Sequence, residues 1–207
     1  MGGTVAVVDY GLGNVRSVVG AIERLGRTAV LTNRVDELGE ADRLILPGVG
    51  AFGDGMSHLR ARGLVEPLTR LVCDERKPIL GICLGAHLFA RVGQEFGEHE
   101  GLGWIDADVV ALTAAEQGLR VPHVGWNELH PLRASVLLAN LRPGALFYYV
   151  HSYYLRFRTP EVVTGECEYG GRFAATFETG NVYGTQFHPE KSQRDGLTLL
   201  ANFLERA

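Results

Sequence analysis

The sequence has few cysteines, and their spacing fits neither a disulfide framework nor a metal site. The 207 residues contain Cys73, Cys83 and Cys167, an odd number without a CxxC pair. Cys73 lies in a helix-like segment and Cys167 in a strand-like one, and free cysteine in such segments is commonly a small buried hydrophobic residue. We therefore expect no metal and no cofactor, and Cys83 needs an explanation of its own.

Clustered positive charge and long hydrophobic runs are also missing. The 20 basic and 24 acidic residues give a net charge of -4, and the basic residues are scattered, which argues against nucleic acid or an anionic membrane surface as a partner. No run approaches the ~20 apolar residues that cross a bilayer, and the start MGGTVAVVDY lacks the features of a signal peptide. We expect a cytoplasmic protein.

Hydrophobic residues make up 46% of the chain, enough for one sizeable core, and predict a single domain over residues 1–207. Strand-like runs at 4–9, 28–32, 43–47 and 77–83 alternate with helical patterns after Asn14, from about Gly55 to Glu75, and after Cys83. Such alternation predicts an α/β fold with a mostly parallel sheet and helices on both faces. From about Ala107 the short runs predict antiparallel additions, and residues 195–207 predict a closing helix.

Cys83 stands in the stretch KPILGICLGAH, where Gly81 and Gly85 flank it at a strand-to-helix junction. This G-x-C-x-G pattern is the thiol counterpart of a nucleophile elbow, in which small neighbours let a strained central residue project from the sheet. The positive end of the following helix would face the sulfur, and the Leu84 amide would be free to bind an oxyanion. The alternative is a tight turn with a merely buried cysteine.

A catalytic thiol needs a base, and His188 has the most informative neighbourhood of the seven histidines. It ends an apolar strand and precedes Glu190 by two residues, so on an extended chain the two side chains share a face and Glu190 can orient the ring. The alternative is an ordinary exposed His-Pro-Glu turn. His123 and His151 are candidates to line a cleft.

Six segments in order resemble one family, the class I (triad) glutamine amidotransferases, and within it the glutaminase subunits of imidazole glycerol phosphate synthase. They are VDYGLGNVRSV, LPGVGAFGDGM, GICLG, VPHVGWNEL, YYVHSYY and YGTQFHPEKSQ. The resemblance implies a Rossmann-like fold in which Cys83 is the nucleophile, His188 the general base and acid, and Glu190 the residue that orients His188. It implies hydrolysis of glutamine to glutamate and ammonia.

The resemblance also implies further site residues and a partner. The residues matched to the oxyanion and substrate site are Gly48, Val49, Gly50, Leu84, His87, His151, Ser152 and Tyr153. The matched segments reach from Asp9 to Ser192, so the ammonia acceptor is expected to be another chain, a (β/α)8-barrel cyclase subunit of histidine biosynthesis. The residues matched to that heterodimer interface are Asn14, Trp126, Tyr148 and Lys191, although Trp126 and Tyr148 could instead pack in the core.

One pair of residues departs from the family pattern, since Ala86 and His87 follow the elbow where the family has Met-Gln. Histidine offers one ring donor but titrates near neutral pH, which predicts weaker or more pH-sensitive use of glutamine. Three rival functions stay open. Residues 95–105 resemble paralogues that supply ammonia for a surface-polysaccharide sugar, and the other rivals are a stand-alone cysteine hydrolase or peptidase and a non-enzymatic regulatory subunit.

Overall fold

The computed structural model describes residues 3–207, and the apolar runs of the sequence form its strands. The strands are β1 Thr4–Val8, β2 Thr28–Thr32, β3 Arg43–Gly48, β4 Ile79–Cys83, β5 Val92–Gly93, β6 His99–Glu100, β7 Ala107–Ala111, β8 His123–Glu128, β9 His130–Pro131, β10 Leu146–His151, β11 Tyr153–Phe157, β12 Val163–Glu168, β13 Arg172–Thr179 and β14 Val182–Thr185. The helices are α1 Val15–Arg24, α2 Val35–Glu40, α3 Phe52–Ala61, α4 Val65–Thr69, α5 Leu84–His87 and α6 Gln193–Arg206.

The central sheet has eight strands in the order β2-β1-β3-β4-β14-β13-β12-β9. The first five are parallel, and β13, β12 and β9 extend the sheet in antiparallel pairing. The predicted α/β class, with a mostly parallel sheet and antiparallel additions from the C-terminal half, is confirmed. Because β14 lies beside β4, the chain around residue 186 comes next to Cys83.

Side-chain alternation along the strands divides the hydrophobic core between the two faces of the sheet. In β1, Ala6 and Val8 pack with residues of α2, α3 and α4 on one face, whereas Val5 and Val7 pack with α1 and α6 on the other. Helices cover both faces, as predicted. Two smaller sheets complete the fold, an antiparallel pair of β10 and β8 and a second sheet in the order β11-β7-β5-β6.

Two helix predictions are wrong in extent. The helix expected from Gly55 to Glu75 is divided into α3, α4 and a π-helical turn at Arg70–Asp74, and Gly63, with φ +64°, ends the first part. The helix expected after Cys83 is the single turn α5, and one turn carries little of a full helix's macrodipole. The closing helix α6 is confirmed.

One smaller expectation is also corrected. Cys73 is exposed rather than buried, whereas Cys167 is buried as expected. Asn14 occupies the position before α1, but its side chain makes no capping hydrogen bond to the helix backbone. The Ser17 hydroxyl donates a hydrogen bond to the Asn14 Oδ1 at 3.0 Å. Within residues 3–207, no helix combines the length and apolar character needed to cross a membrane.

Candidate active site

Cys83 ends strand β4 in a strained backbone conformation, with φ 52° and ψ -113°. Such a left-handed φ costs a non-glycine residue about 1–3 kcal/mol, and proteins keep it mostly at functional sites. The flanking glycines are required by close backbone contacts. A Cβ on Gly81 would lie 2.5 Å from the Ala86 Cα, and a Cβ on Gly85 would clash with the Leu46 carbonyl. The sharp turn predicted at Cys83 is confirmed.

His188 and Glu190 form a buried pair beside this turn. The His188 Nδ1 lies 2.9 Å from the Glu190 Oε1, and the two side chains are 2% and 1% exposed. The predicted contact is present, but its predicted geometry is wrong, because β14 ends at Thr185 and Glu190 lies in a 3₁₀ turn at 189–191. The exposed-turn alternative is also wrong, since both side chains are buried.

The electrostatics of His188 combine two opposing effects. Burial is the largest single effect and lowers its pKa, but the hydrogen bond to Glu190 and the attraction of the Cys83 and Glu190 charges together outweigh burial and raise the pKa to about 10. The His188 Nε2, opposite the nitrogen that contacts Glu190, is buried without a hydrogen-bond partner among the described residues. This ring is therefore held protonated, with Nε2 available for proton transfer.

The sulfur of Cys83 opens on a cavity of about 450 Å³. Its walls consist of Val49, Gly50, Ala51, Cys83, Leu84, His87, Glu95, Phe96, Pro122, Val150, His151, Ser152 and Tyr153. All the substrate-binding residues predicted from the sequence line it except Gly48. Gly48 lies opposite Cys83 in the register of β3 and β4, where a side chain would collide with the Tyr10 hydroxyl.

Two polar residues of this site were not predicted from the sequence. Glu95 lines the cavity, and one of its carboxylate oxygens accepts the Phe52 backbone N–H at 2.9 Å. The carboxamide nitrogen of Gln186 lies 3.9 Å from the Cys83 Sγ. Gln186 precedes His188 by two residues, the same spacing that singled out Glu190, and that spacing was the available signal.

His87 is buried, and its Nε2 lies 2.8 Å from the Gln186 Oε1. Burial lowers its pKa to about 4, and the Gln186 hydrogen bond offsets only part of that effect. The expectation that His87 titrates near neutral pH is therefore wrong, because the ring is neutral throughout that range. Weaker use of glutamine stays a prediction.

His151, which lines the cavity, contacts another buried histidine, His123. The His123 Nδ1 lies 3.0 Å from the His151 Nε2, and the His151 Nδ1 donates to the Tyr153 carbonyl at 2.9 Å. Burial lowers the pKa of His123 to about 4 and that of His151 to about 3. These neutral rings fix the segment 151–153 that faces Cys83.

Three of the residues matched to a partner interface lie together at the surface. Trp126 is 46% exposed and contacts the Tyr148 ring edge to face, with 6.1 Å between centroids, and the Lys191 Nζ lies 5.7 Å from the Tyr148 ring centre. Core packing is therefore wrong for Trp126, whereas Tyr148 is half-buried. Asn14 immediately precedes α1, which packs against the 189–191 turn.

Comparison with known proteins gives one family. The model of the class I glutamine amidotransferases matches residues 6–207. The imidazole glycerol phosphate synthase subunit HisH 2 of Nitrobacter winogradskyi is 45% identical over 206 residues, covering 97% of each chain. The HisH subunit of Rhodopirellula baltica is 46% identical over 199 residues, covering 96% of each.

Solved structures agree on the fold. A chain of PurLQS from Thermotoga maritima superposes with a TM-score of 0.76 at 20% identity, covering 99% of this chain and 98% of that one. A protein described as a glutamine amidotransferase superposes with a TM-score of 0.72 at 24% identity, covering 97% of both. The chain therefore belongs to the class I glutamine amidotransferases, in the family of the HisH subunits of imidazole glycerol phosphate synthase.

Proposed function

We propose that this chain is the glutaminase subunit of an imidazole glycerol phosphate synthase, hydrolysing glutamine to glutamate and ammonia for histidine biosynthesis. One observation carries the chemistry: a strained cysteine opens on a cavity beside a buried, protonated His–Glu pair. The relatives that share 45–46% identity over almost the whole chain bear that subunit's name. Their names do not favour the surface-polysaccharide alternative.

In the first half of the reaction, Cys83 is the nucleophile and His188 the acid. The thiolate attacks the side-chain carboxamide carbon of glutamine, so that an S–C bond forms and the carbonyl oxygen becomes an oxyanion. The oxyanion then collapses while the His188 Nε2 gives its proton to the departing nitrogen, so that the C–N bond breaks. Ammonia leaves, and the glutamyl group stays on the sulfur as a thioester. The raised pKa of His188 keeps that proton available at neutral pH.

In the second half, His188 is the base. Water attacks the thioester carbon, and the now neutral His188 takes the water's proton at Nε2. The C–S bond breaks, glutamate is released, and the thiolate and protonated imidazole are restored. Glu190 touches no reacting atom in this scheme. It holds the ring through Nδ1 at 2.9 Å and favours the protonated form.

The oxyanion needs hydrogen-bond donors beside the sulfur. The Leu84 amide and an amide of the segment 48–50 are the candidates, because Leu84, Val49 and Gly50 line the cavity with Cys83. Gly50 has φ +108°, a conformation that glycine adopts without steric strain. The segment 48–50 can therefore reorient its amides at little steric cost.

Glu95 supports glutamine as the substrate. Its carboxylate lines the cavity that holds Cys83, where it complements the α-ammonium group of an amino acid. The segment 151–153 forms the facing wall and supplies backbone and hydroxyl groups for the remaining polar atoms. A cavity of about 450 Å³ is of the size that encloses a small ligand.

The relatives are named as subunits of a synthase, and we propose that the partner here is a (β/α)8-barrel cyclase subunit. Trp126, Tyr148 and Lys191 form the surface that favours docking, with Asn14 as a further contact. The His188 N–H donates to the Tyr148 carbonyl at 3.0 Å, so a partner that contacts Tyr148 would lie next to the catalytic turn. Ammonia passed directly between subunits would avoid protonation in water.

The test is glutamate release from glutamine by the purified chain, alone and with the cyclase subunit loaded with its nucleotide substrate. The expected result is strong activation by the loaded partner and loss of turnover in Cys83→Ala under both conditions. Unchanged turnover in Cys83→Ala would refute the assignment of Cys83 as the nucleophile. Absence of activation by the cyclase would refute the histidine-pathway assignment.

A further inference from the structure

Cys83 has a neighbour outside the triad, and that neighbour is held by His87. The Gln186 carboxamide lies between them, with Oε1 2.8 Å from the His87 Nε2 and Nε2 3.9 Å from the Cys83 Sγ. His87, Gln186 and Cys83 are 6%, 4% and 7% exposed, respectively. They form a buried relay that the proposed reaction steps do not use.

The donor and acceptor chemistry gives this relay a direction. The His87 ring is neutral near pH 7, and its Nε2–H donates to the carboxamide oxygen of Gln186. The amino group of Gln186 then faces the sulfur and donates to it. The reversed carboxamide would place an oxygen against the sulfur's lone pairs, which is unfavourable for a thiolate.

The fold brings these residues together from separate places in the sequence. β14 and β4 are parallel neighbours, with Thr185 opposite Ile82, so Gln186, just past the end of β14, comes next to Cys83, the last residue of β4. His87 ends the single turn α5 that follows the cysteine. The relay therefore depends on the sharp turn at Cys83, which returns His87 toward the sheet.

We propose that His87 is a positioning residue, which holds the Gln186 amino group as a hydrogen-bond donor to the Cys83 thiolate. This proposal rests on the proposed role of Cys83 as nucleophile. It assigns His87 an effect on the reactivity of the sulfur, where the family resemblance implies contact with the substrate. Loss of the His87 donor would free the carboxamide to rotate, and the thiolate would lose a hydrogen bond.

Alkylation by iodoacetamide tests this without any glutamine. The thiolate forms an S–C bond and displaces iodide, and peptide mass spectrometry follows the product at Cys83. The background carries Cys73→Ser, because Cys73 is exposed. On the acid limb of the pH–rate profile, where the rate follows the fraction of thiolate, His87→Leu and Gln186→Leu are each expected to slow alkylation by up to about 10-fold, because the charged sulfur loses one stabilising hydrogen bond.

The double variant and two controls make the result specific. Both changes remove the same hydrogen bond, the one from Gln186 to the Cys83 sulfur. The double variant His87→Leu with Gln186→Leu is therefore expected to react no more slowly than either single variant. His87→Gln, which restores an N–H at similar reach, is expected to stay within about twofold of the parent. His130→Leu, at a half-exposed histidine on β9, is the matched control and is expected to react like the parent.

Steady-state kinetics give an independent readout. A positioning role predicts that His87→Leu lowers kcat about 10-fold while KM for glutamine changes less than about twofold. A raised KM with unchanged alkylation would overturn the proposal, because His87 would then bind glutamine directly. If His87→Leu does not fold, His87→Asn replaces it, since its shorter amide falls short of Gln186 and the same losses are expected.

The two proposals fail in different ways. If the chain did not hydrolyse glutamine, the alkylation rates would still report on the relay, so the inference about His87 would be tested by itself. Equal alkylation rates in the parent and both leucine variants would overturn the relay even if Cys83→Ala abolished turnover. Additive losses in the double variant would likewise contradict it.

Discussion

The histidines around the cavity are driven in opposite directions by their surroundings. Burial without a nearby negative charge lowers the pKa of His87 to about 4 and that of His151 to about 3. His188 is also buried, but Glu190 and Cys83 raise its pKa to about 10. The His188 ring is thus kept charged, while the His87 and His151 rings stay neutral hydrogen-bonding groups.

Glu190→Gln tests how much catalysis depends on that charge. The change keeps the shape but removes the negative charge that favours protonated His188, so kcat is expected to fall about a thousandfold. Glutamate release measures it. Glu161→Gln is the matched control, because Glu161 also follows a proline in a 3₁₀ turn but is exposed. Equal activity of the two variants would contradict the role of Glu190.

Stability should depend on pH on both sides of pH 6.5. His87 and His151 have folded pKa values below 6.5, so the unfolded chain takes up their protons first as pH falls. The free energy of unfolding should therefore fall between pH 6.5 and 4, by up to about 1.4 kcal/mol per pH unit for each residue. His188 has a raised folded pKa, so its contribution is fully present below pH 6.5 and lost as pH rises toward 10.

Urea unfolding of the chain at pH 5, 6.5 and 9 measures this dependence. We expect the greatest stability near pH 6.5, and His87→Leu is expected to reduce the slope on the acid side. A free energy of unfolding that rises from pH 6.5 to pH 5 would contradict the neutral burial of His87 and His151.

Residue patterns predicted the grouping of Cys83, His188 and Glu190 better than its surroundings. Cys83 is marked by its two glycines, and Glu190 by its spacing from His188. Gln186 is 103 positions from Cys83 in the sequence, and their contact exists only because β14 lies beside β4. Glu95 lies in an irregular segment, where neither period nor motif indicates which way a side chain points.

Among the secondary-structure elements, the tightest constraint is the crossing of β3 by the turn after Cys83. Gly85 approaches the Leu46 carbonyl so closely that even a methyl group would collide with it. This crossing places α5 and His87 beside the sulfur. The short α5 also shows why helix extents were overestimated, because the buried hydrophobic residues at 88–90 would fit a longer helix but here pack in irregular chain.

Two glycine-to-alanine substitutions test this constraint. Gly85→Ala is expected to lower the free energy of unfolding by about 1–3 kcal/mol or more and to reduce glutamine hydrolysis, because the elbow must shift. Gly20→Ala is the control, because Gly20 lies in α1 with no atom near the added methyl group. It is expected to raise the free energy of unfolding by about 0.5–1 kcal/mol. Chemical denaturation measures both. A harmless Gly85→Ala would contradict the described crossing.

Across the whole molecule, the proposed reaction site and the surface formed by Trp126, Tyr148 and Lys191 meet at the 188–192 turn. The Tyr148 carbonyl accepts the His188 N–H, and the Tyr148 N–H donates to the Ser192 side chain at 3.0 Å. The type of sheet could be predicted from the sequence, because alternating strands and helices favour a parallel sheet. The placement of β14 beside β4 was not, because long-range strand pairing leaves no local sequence pattern.

Trp126→Ser tests the docking surface at this scale. Exposed aromatic residues often carry much of the binding energy of an interface, so the change is expected to weaken binding of the cyclase subunit about 10-fold or more. Leu31→Ser is the matched control, because Leu31 is 41% exposed on the edge strand β2. Titration calorimetry with the partner compares them. Equal affinities would contradict docking at Trp126.

The central claim is that Cys83 carries the glutamyl group during turnover, and the most direct measurement looks for that thioester. The chain, with its partner, is mixed with glutamine, quenched in acid and examined by peptide mass spectrometry. The account predicts one glutamyl group on the peptide that contains Cys83, and none in Cys83→Ala. Continued glutamate release with no glutamyl group on that peptide, or equal release by Cys83→Ala, would contradict it.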